Sequence, residues 1–192
     1  MAYLRLVFTV RSAESLATKV EPHHFDPTPA GLIAVTLVVP LAVWERPPRV
    51  EDWRVPRREV HEAVEHAFET YDVAELAADP PGWYPEIDLW VERYGEDRVV
   101  MFDTNQAKRF AAACERFQTG VREQHVSHAG HPVLTRHVLN AQVRHTSYGD
   151  AITKDHPDSP RKIDAAAAGV VAYDRAMWHA ANMTGVTWGV LA

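Results

Sequence analysis

Between residues 57 and 102 the chain alternates twice between a segment with apolar residues at helical spacing and a short apolar run. No other feature of the sequence constrains the fold as much. Val60, Val64, Phe68 and Tyr71 recur at intervals of three or four residues, which predicts an amphipathic helix over 57–71 with Glu59, Glu62, Glu65 and Glu69 off the apolar stripe. Val73 to Ala78 reads as a buried strand ended by Asp79-Pro80-Pro81-Gly82. Trp83, Ile87, Trp90, Val91 and Tyr94 form the buried stripe of a second helix stopped at Gly95, and Arg98 to Phe102 is the next strand. The two tryptophans belong to that stripe and read as core, not as a stacking surface. Strands linked through a helix need a crossover, and the helix buries its stripe on the sheet; the pairing is therefore parallel and the class α/β.

On either side of this region the pattern is less regular. Ala2 to Val10 predicts a strand, Arg11 to Ala30 has no period, and Gly31 to Val43 predicts two short strands or a hairpin split at Pro40. Helices are expected over 106–124, 131–144 and about 161–181, the last opened by Ser159 as N-cap and Pro160 at the first helical position. Residues 146–154 read as extended around Tyr148-Gly149. The expected division is an atypical N-terminal segment 1–30, a main unit 31–182 and a tail 183–192.

With 192 residues the chain has the size of one domain. Its most apolar run, Gly31 to Trp44, is broken by Thr36 and Pro40 and is too short to span a bilayer. The first residues lack a basic leader and a small-residue cleavage site. A cytoplasmic protein with no membrane partner is expected. The single cysteine, Cys114, lies on an apolar helical face and reads as a buried hydrophobe. Asp and Glu exceed Lys and Arg by 26 to 20, a net charge of −6, so contact with nucleic acid requires a local basic patch.

Two acids stand where an α/β sheet places chemistry. Asp79 follows a buried strand at its carboxyl end, and Asp164 falls in the first turn of an alanine-rich helix, where the dipole favours a carboxylate. Each also has a plain structural reading, as a cap for the following helix and as a dipole partner respectively.

The segment HPVLTRHVLNAQVRHTSYGDAITKD followed by SPRKIDAAAAGVVAYDRA resembles the C-terminal nuclease portion of tailed-phage terminase large subunits. Upstream, VWERPPRVEDWRVPRREVHEAVEHAFETYDVAELAADPPGW and VVMFDTNQAKRFAAACERF are similar to the same family in order and spacing, so the resemblance covers about residues 41–182. It implies a ribonuclease-H-like mixed sheet flanked by helices and a metal-dependent DNA endonuclease of phage or prophage DNA packaging, in the host cytoplasm. Asp79 matches the family's middle acid and Asp164 its last. Together these would hold two Mg²⁺ or Mn²⁺ ions, since hard divalent cations take oxygen ligands and two of them assist phosphodiester cleavage. Double-stranded DNA is the implied substrate, with a terminase small subunit and a portal as packaging partners. Arg161, Lys162, Arg136 and Arg144, with His145, are the candidates for DNA contact.

The chain departs from the family in two places. The family's opening strand carries an acid in a stretch like Asp-Gly-Ser followed by Asp-x-Thr-Ala-Leu-Val; here HHFDPTPAGLIAVTLVVPLAVWERP takes its place, with Asp26 as the nearest substitute, beside His23 and His24, and Glu21 a weaker one. No GxxxxGK[ST] loop is present, so no ATP-binding residue is assigned. A catalytically silent remnant that at most binds DNA or packaging partners is therefore the alternative to an active nuclease. A metal-dependent hydrolase of small phosphorylated substrates is a third reading, which would need an enclosed pocket instead of an open basic groove.

Overall fold

A computed structural model of the protein describes residues 6–10, 36–47, 49–128, 130–182 and 189–191. In chain order its elements are β1 (Leu6–Val10), β2 (Thr36–Val39), α1 (Arg57–Thr70), β3 (Val73–Ala78), α2 (Tyr84–Tyr94), β4 (Val99–Met101), α3 (Ala107–Arg122), β5 (Val126–His128), α4 (Pro132–Asn140), β6 (Gln142–Thr146), β7 (Gly149–Thr153), α5 (Asp164–Asn182) and β8 (Gly189–Leu191). The architecture is mixed α/β.

Six strands form one sheet in the order β4-β3-β1-β8-β2-β5. β3 and β4 are parallel, as are β8 with β2 and β2 with β5, while β1 runs antiparallel to both β3 and β8. All strands except β1 thus point the same way, and their carboxyl ends share one edge with Leu6, the first residue of β1, which lies opposite Ala78. β6 and β7 make a separate antiparallel hairpin.

Strand alternation divides the core in two. Leu76 and Ala78 face α1 and α2, packing with Val60, Val64, Ile87 and Trp90. Ala77 faces the other way, into a cluster with Phe110 and Cys114 of α3 and Ala167, Val171 and Ala176 of α5. Helices therefore cover both faces, which is why β3 is buried along its whole length. Trp83 and Trp90 are both core. The residues that α5 gives to this cluster are mostly alanine. Where it meets α3, Gly120 leaves the room that the Tyr173 ring fills.

The structure corrects several sequence expectations. The helix expected over 131–144 ends at Asn140, and 142–146 is strand β6. Gln142-Val143-Arg144-His145-Thr146 pairs residue by residue with β7, and the turn is closed by the Thr146 hydroxyl donating to the Gly149 carbonyl at 2.6 Å. Gly149 there has φ of 112°, a backbone that favours glycine. The last helix begins at Asp164, not near Arg161. Ser159 accepts from the Arg161 N–H at 3.1 Å in a turn of its own, and the first helical bond runs from the Ala167 N–H to the Ile163 carbonyl. β5 and β8, three residues each, were not expected. The segments set apart as 1–30 and 183–192 contribute β1 and β8, which lie side by side inside the six-stranded sheet. Among the described residues 41–47 no second strand or hairpin follows β2.

Candidate functional site

The carboxyl edge of the sheet opens into a cavity of about 1100 Å³. Its walls are the segment leaving β2 (Pro40 to Pro47), Leu6, one side of α4, the loop 157–162 and the first turns of α5. This is where open α/β sheets place ligands, because loops leaving neighbouring strands diverge there. Six cationic residues line it, Arg46, Arg49, Arg136, Lys154, Arg161 and Lys162, against three acids, Glu45, Asp158 and Asp164. A chain of net charge −6 therefore concentrates positive charge at one place.

Asp164 is the first residue of α5 and lines this cavity. Asp79 follows the last residue of β3 and is 5% exposed. The helix that follows, α2, is entered through Trp83, whose own side chain makes no cap. The Asp79 carboxylate accepts from Thr104, at Oδ1 from the backbone N–H (3.2 Å) and at Oδ2 from the hydroxyl (2.6 Å). Thr104 sits in the turn between β4 and α3, so the carboxylate also ties the ends of two neighbouring parallel strands.

A second polar group sets the position of α5 along β3. Glu75, in the middle of β3 and 2% exposed, is gripped by α5. Arg175 donates through Nε and Nη2 to its two oxygens, at 2.6 Å each, and His179 Nε2 lies 3.2 Å from Oε2. Burial pushes the Glu75 carboxyl up, but the Arg175 and His179 hydrogen bonds and charges outweigh it and hold the group below the ordinary glutamate value. From Arg175 back to Asp164 the helix rises about 16 Å; from Glu75 to Asp79 the strand advances about 13 Å. Asp164 and Ala168 share the cavity wall with Leu6, which pairs with Ala78, so helix and strand run in opposite senses. Glu75 and Ala77 face the α5 side. Asp79 and Asp164 thus both fall at the carboxyl end of the sheet, Asp164 in the cavity wall and Asp79 outside the residues that line it.

Among the predicted DNA contacts, Arg136, Arg161 and Lys162 line the cavity. Arg144 and His145 do not; they lie exposed on β6, where His145 Nδ1 is 2.6 Å from Asp150 Oδ1. Asp26, His23, His24 and Glu21 lie outside the described residues. The described opening strand, Leu-Val-Phe-Thr-Val, carries no acid, and among the described residues no group of three or more His, Cys, Asp or Glu is placed to hold a metal ion. Cys114 is buried, and burial raises its thiol above the usual range, which suits a core residue and not a nucleophile.

Sequence reasoning missed Thr104, Glu45 and His137. Glu45 leaves the β2 segment to pair with Arg136 and His137 on α4. Its carboxyl is pushed up by partial burial but held below the ordinary value by hydrogen bonds from both partners.

Among known proteins, the chain is 39% identical over 147 residues to the Gene 13 protein of Mycobacterium phage D29 and 38% identical over 147 residues to that of Mycobacterium phage L5. This chain is a relative of phage proteins. Each match takes in 71% of the chain and 24% of the relative, so the chain spans about a quarter of the length of the curated relatives it matches. No family model matches, and no solved structure matches. Among the described residues no helix is long and apolar enough to cross a membrane.

Proposed function

We propose that this protein is the nuclease part of a phage DNA-packaging terminase, a ribonuclease-H-like, metal-dependent DNA endonuclease in which Asp79 and Asp164 hold the cation. The observation that carries this reading is the position of both carboxylates at the carboxyl end of the sheet, with Asp164 in the wall of a cavity whose charged residues are mainly cationic. The relatives are phage proteins, which agrees with a packaging role.

The donor chemistry fits a hard cation: carboxylate oxygens are the ligands Mg²⁺ and Mn²⁺ prefer, and Mg²⁺ is commonly held by one or two carboxylates with water and substrate phosphate completing its shell. Asp79 and Asp164 fit one such hydrated ion better than the two ions of the family pattern, because β1 supplies no third acid. When bound, the ion supplies positive charge to a phosphoryl oxygen and a water of lowered pKa. The chain's own residues do the rest. Thr104 orients the Asp79 carboxylate, and Arg46, Arg136, Arg161 and Lys162 bind phosphates along the duplex backbone without reading sequence.

A second reading, a DNA-binding remnant without catalysis, is favoured by the same lack of an acid on β1. One experiment separates the two. Purified protein is incubated with supercoiled plasmid and Mn²⁺. Nicking that is lost in Asp79→Asn and in Asp164→Asn supports the endonuclease; retarded plasmid with no nicking supports the remnant; nicking unchanged by both substitutions removes the assignment of the two aspartates.

A further inference from the structure

On α4, His137 and Asn140 stand three residues apart and so share one side of the helix. They reach the backbone on either side of Asp164. The Asn140 side-chain amide donates to the Lys162 carbonyl at 2.9 Å, and His137 Nδ1 accepts the Ala165 N–H at 3.0 Å. Ala165 lies in the first turn of α5, where a backbone N–H has no partner within its own helix. α4 therefore supplies what the helix lacks.

The His137 ring has one orientation open to it. It is 2% exposed, and on its far side Nε2 lies 3.0 Å from Glu45 Oε1. Because Nδ1 receives a hydrogen bond it carries a lone pair, so the ring hydrogen is on Nε2 and is donated to Glu45. Arg136 pairs with the other oxygen of the same carboxylate. The segment after β2, α4 and the start of α5 are thus joined through one imidazole in the cavity wall.

We propose that His137 and Asn140 act as a two-point backbone clamp that sets the direction of the Asp164 carboxylate. The first residue of a helix is where fraying begins, and a carboxylate there turns with its own peptide units. Pinning the units at Lys162 and Ala165 removes that freedom. The clamp itself stands on geometry alone. That the carboxylate so held binds a cation rests on the endonuclease reading, under which His137 and Asn140 are positioning residues and loss of such support weakens metal binding by about ten- to a hundredfold.

The test uses His137→Phe, which keeps a ring and removes both nitrogens, and Asn140→Asp, which removes the donor. Two quantities are read well below each variant's melting temperature: the Mn²⁺ concentration for half-maximal plasmid nicking, and the hydrogen-exchange rate of the Ala165 amide by NMR. The expected results are a rise of about ten- to a hundredfold in the Mn²⁺ required by both variants, and faster Ala165 exchange in His137→Phe. His137→Asn, which offers an acceptor and a donor, recovers part of both. A lowered melting temperature with unchanged Mn²⁺ requirement and unchanged Ala165 exchange overturns the clamp. If the wild-type chain neither nicks DNA nor binds Mn²⁺, the endonuclease reading fails alone, and the Ala165 exchange rate still decides the clamp. Should His137→Phe not fold, Asn140→Asp decides by its Mn²⁺ requirement and His137→Leu, which also removes the acceptor, by its Ala165 exchange.

Discussion

Glu75 is a buried carboxylate held on α5 by the Arg175 guanidinium and by the His179 ring, and its energetics differ from those of the surface pairs. Exposed pairs such as Arg58 with Glu62 contribute about 0–1 kcal/mol. Removing one member of a buried pair leaves the other desolvated without compensation and costs about 3–5 kcal/mol. Glu75→Gln is therefore expected to lower the unfolding free energy by an amount in that range, measured by urea denaturation. The sign with pH follows from the depressed carboxyl. Its contribution is complete above the unfolded-state glutamate value of about 4.3 and is lost as the pH falls below that value through the folded-state one. Acid unfolding of Glu75→Gln should accordingly show a shallower loss of stability below about pH 4.3 than the wild type. At Asp79 the corresponding test is Thr104→Val, which keeps the side-chain volume and removes one donor. Under the endonuclease reading it lowers kcat for nicking by about tenfold or more, in keeping with a hydrogen bond to a charged group, and Thr104→Ser restores most of it. An unaltered kcat in Thr104→Val would leave Thr104 as a structural tie only.

Among the elements, α1, β3 and α2 were legible from sequence almost to the residue, since each buries a stripe whose period is set by its own geometry. Of the hairpin, β7 was legible in the extended stretch 146–154 but β6 was not, because Val138 and Leu139 continue an apolar run into Val143. β5 and β8, three residues each, are too short to show a period. The site was legible in part for a similar reason. Asp79 and Asp164 are marked by where they fall in their own elements, whereas Thr104, His137 and Glu45 act across separations of 25, 28 and 92 positions that no local pattern encodes. The packing of α3 on α5 gives a prediction at this scale. In most helices Gly→Ala is stabilising by about 1 kcal/mol. At Gly120 the added methyl would occupy the space of the Tyr173 ring, and overpacking of this kind costs about 1–3 kcal/mol. Gly120→Ala should therefore destabilise the protein, and Tyr173→Leu in the same chain should restore part of the loss. A stabilised single variant would show that α3 and α5 are less closely packed.

For the whole molecule, the uneven distribution of charge matters more than its sum. Six cations around one cavity in a chain of net charge −6 predict DNA binding that is local, independent of sequence and steeply sensitive to salt. Replacing Arg46 with Ala should weaken plasmid binding and reduce the slope of log K against log salt by about 1; an unaltered slope would mean that phosphates do not follow this wall. The sheet then sets both acids at its carboxyl end, because five strands end at one edge and α5 is anchored by Glu75 at such a height that its first residue reaches that edge. The most direct test of this arrangement is calorimetric titration of Mn²⁺ into the wild type, Asp79→Asn, Asp164→Asn and the double variant. A shared ion predicts wild-type binding that either single substitution weakens by tenfold or more, with the double variant little worse than the singles. Wild-type affinity in either single variant, or no binding by the wild type, would contradict it.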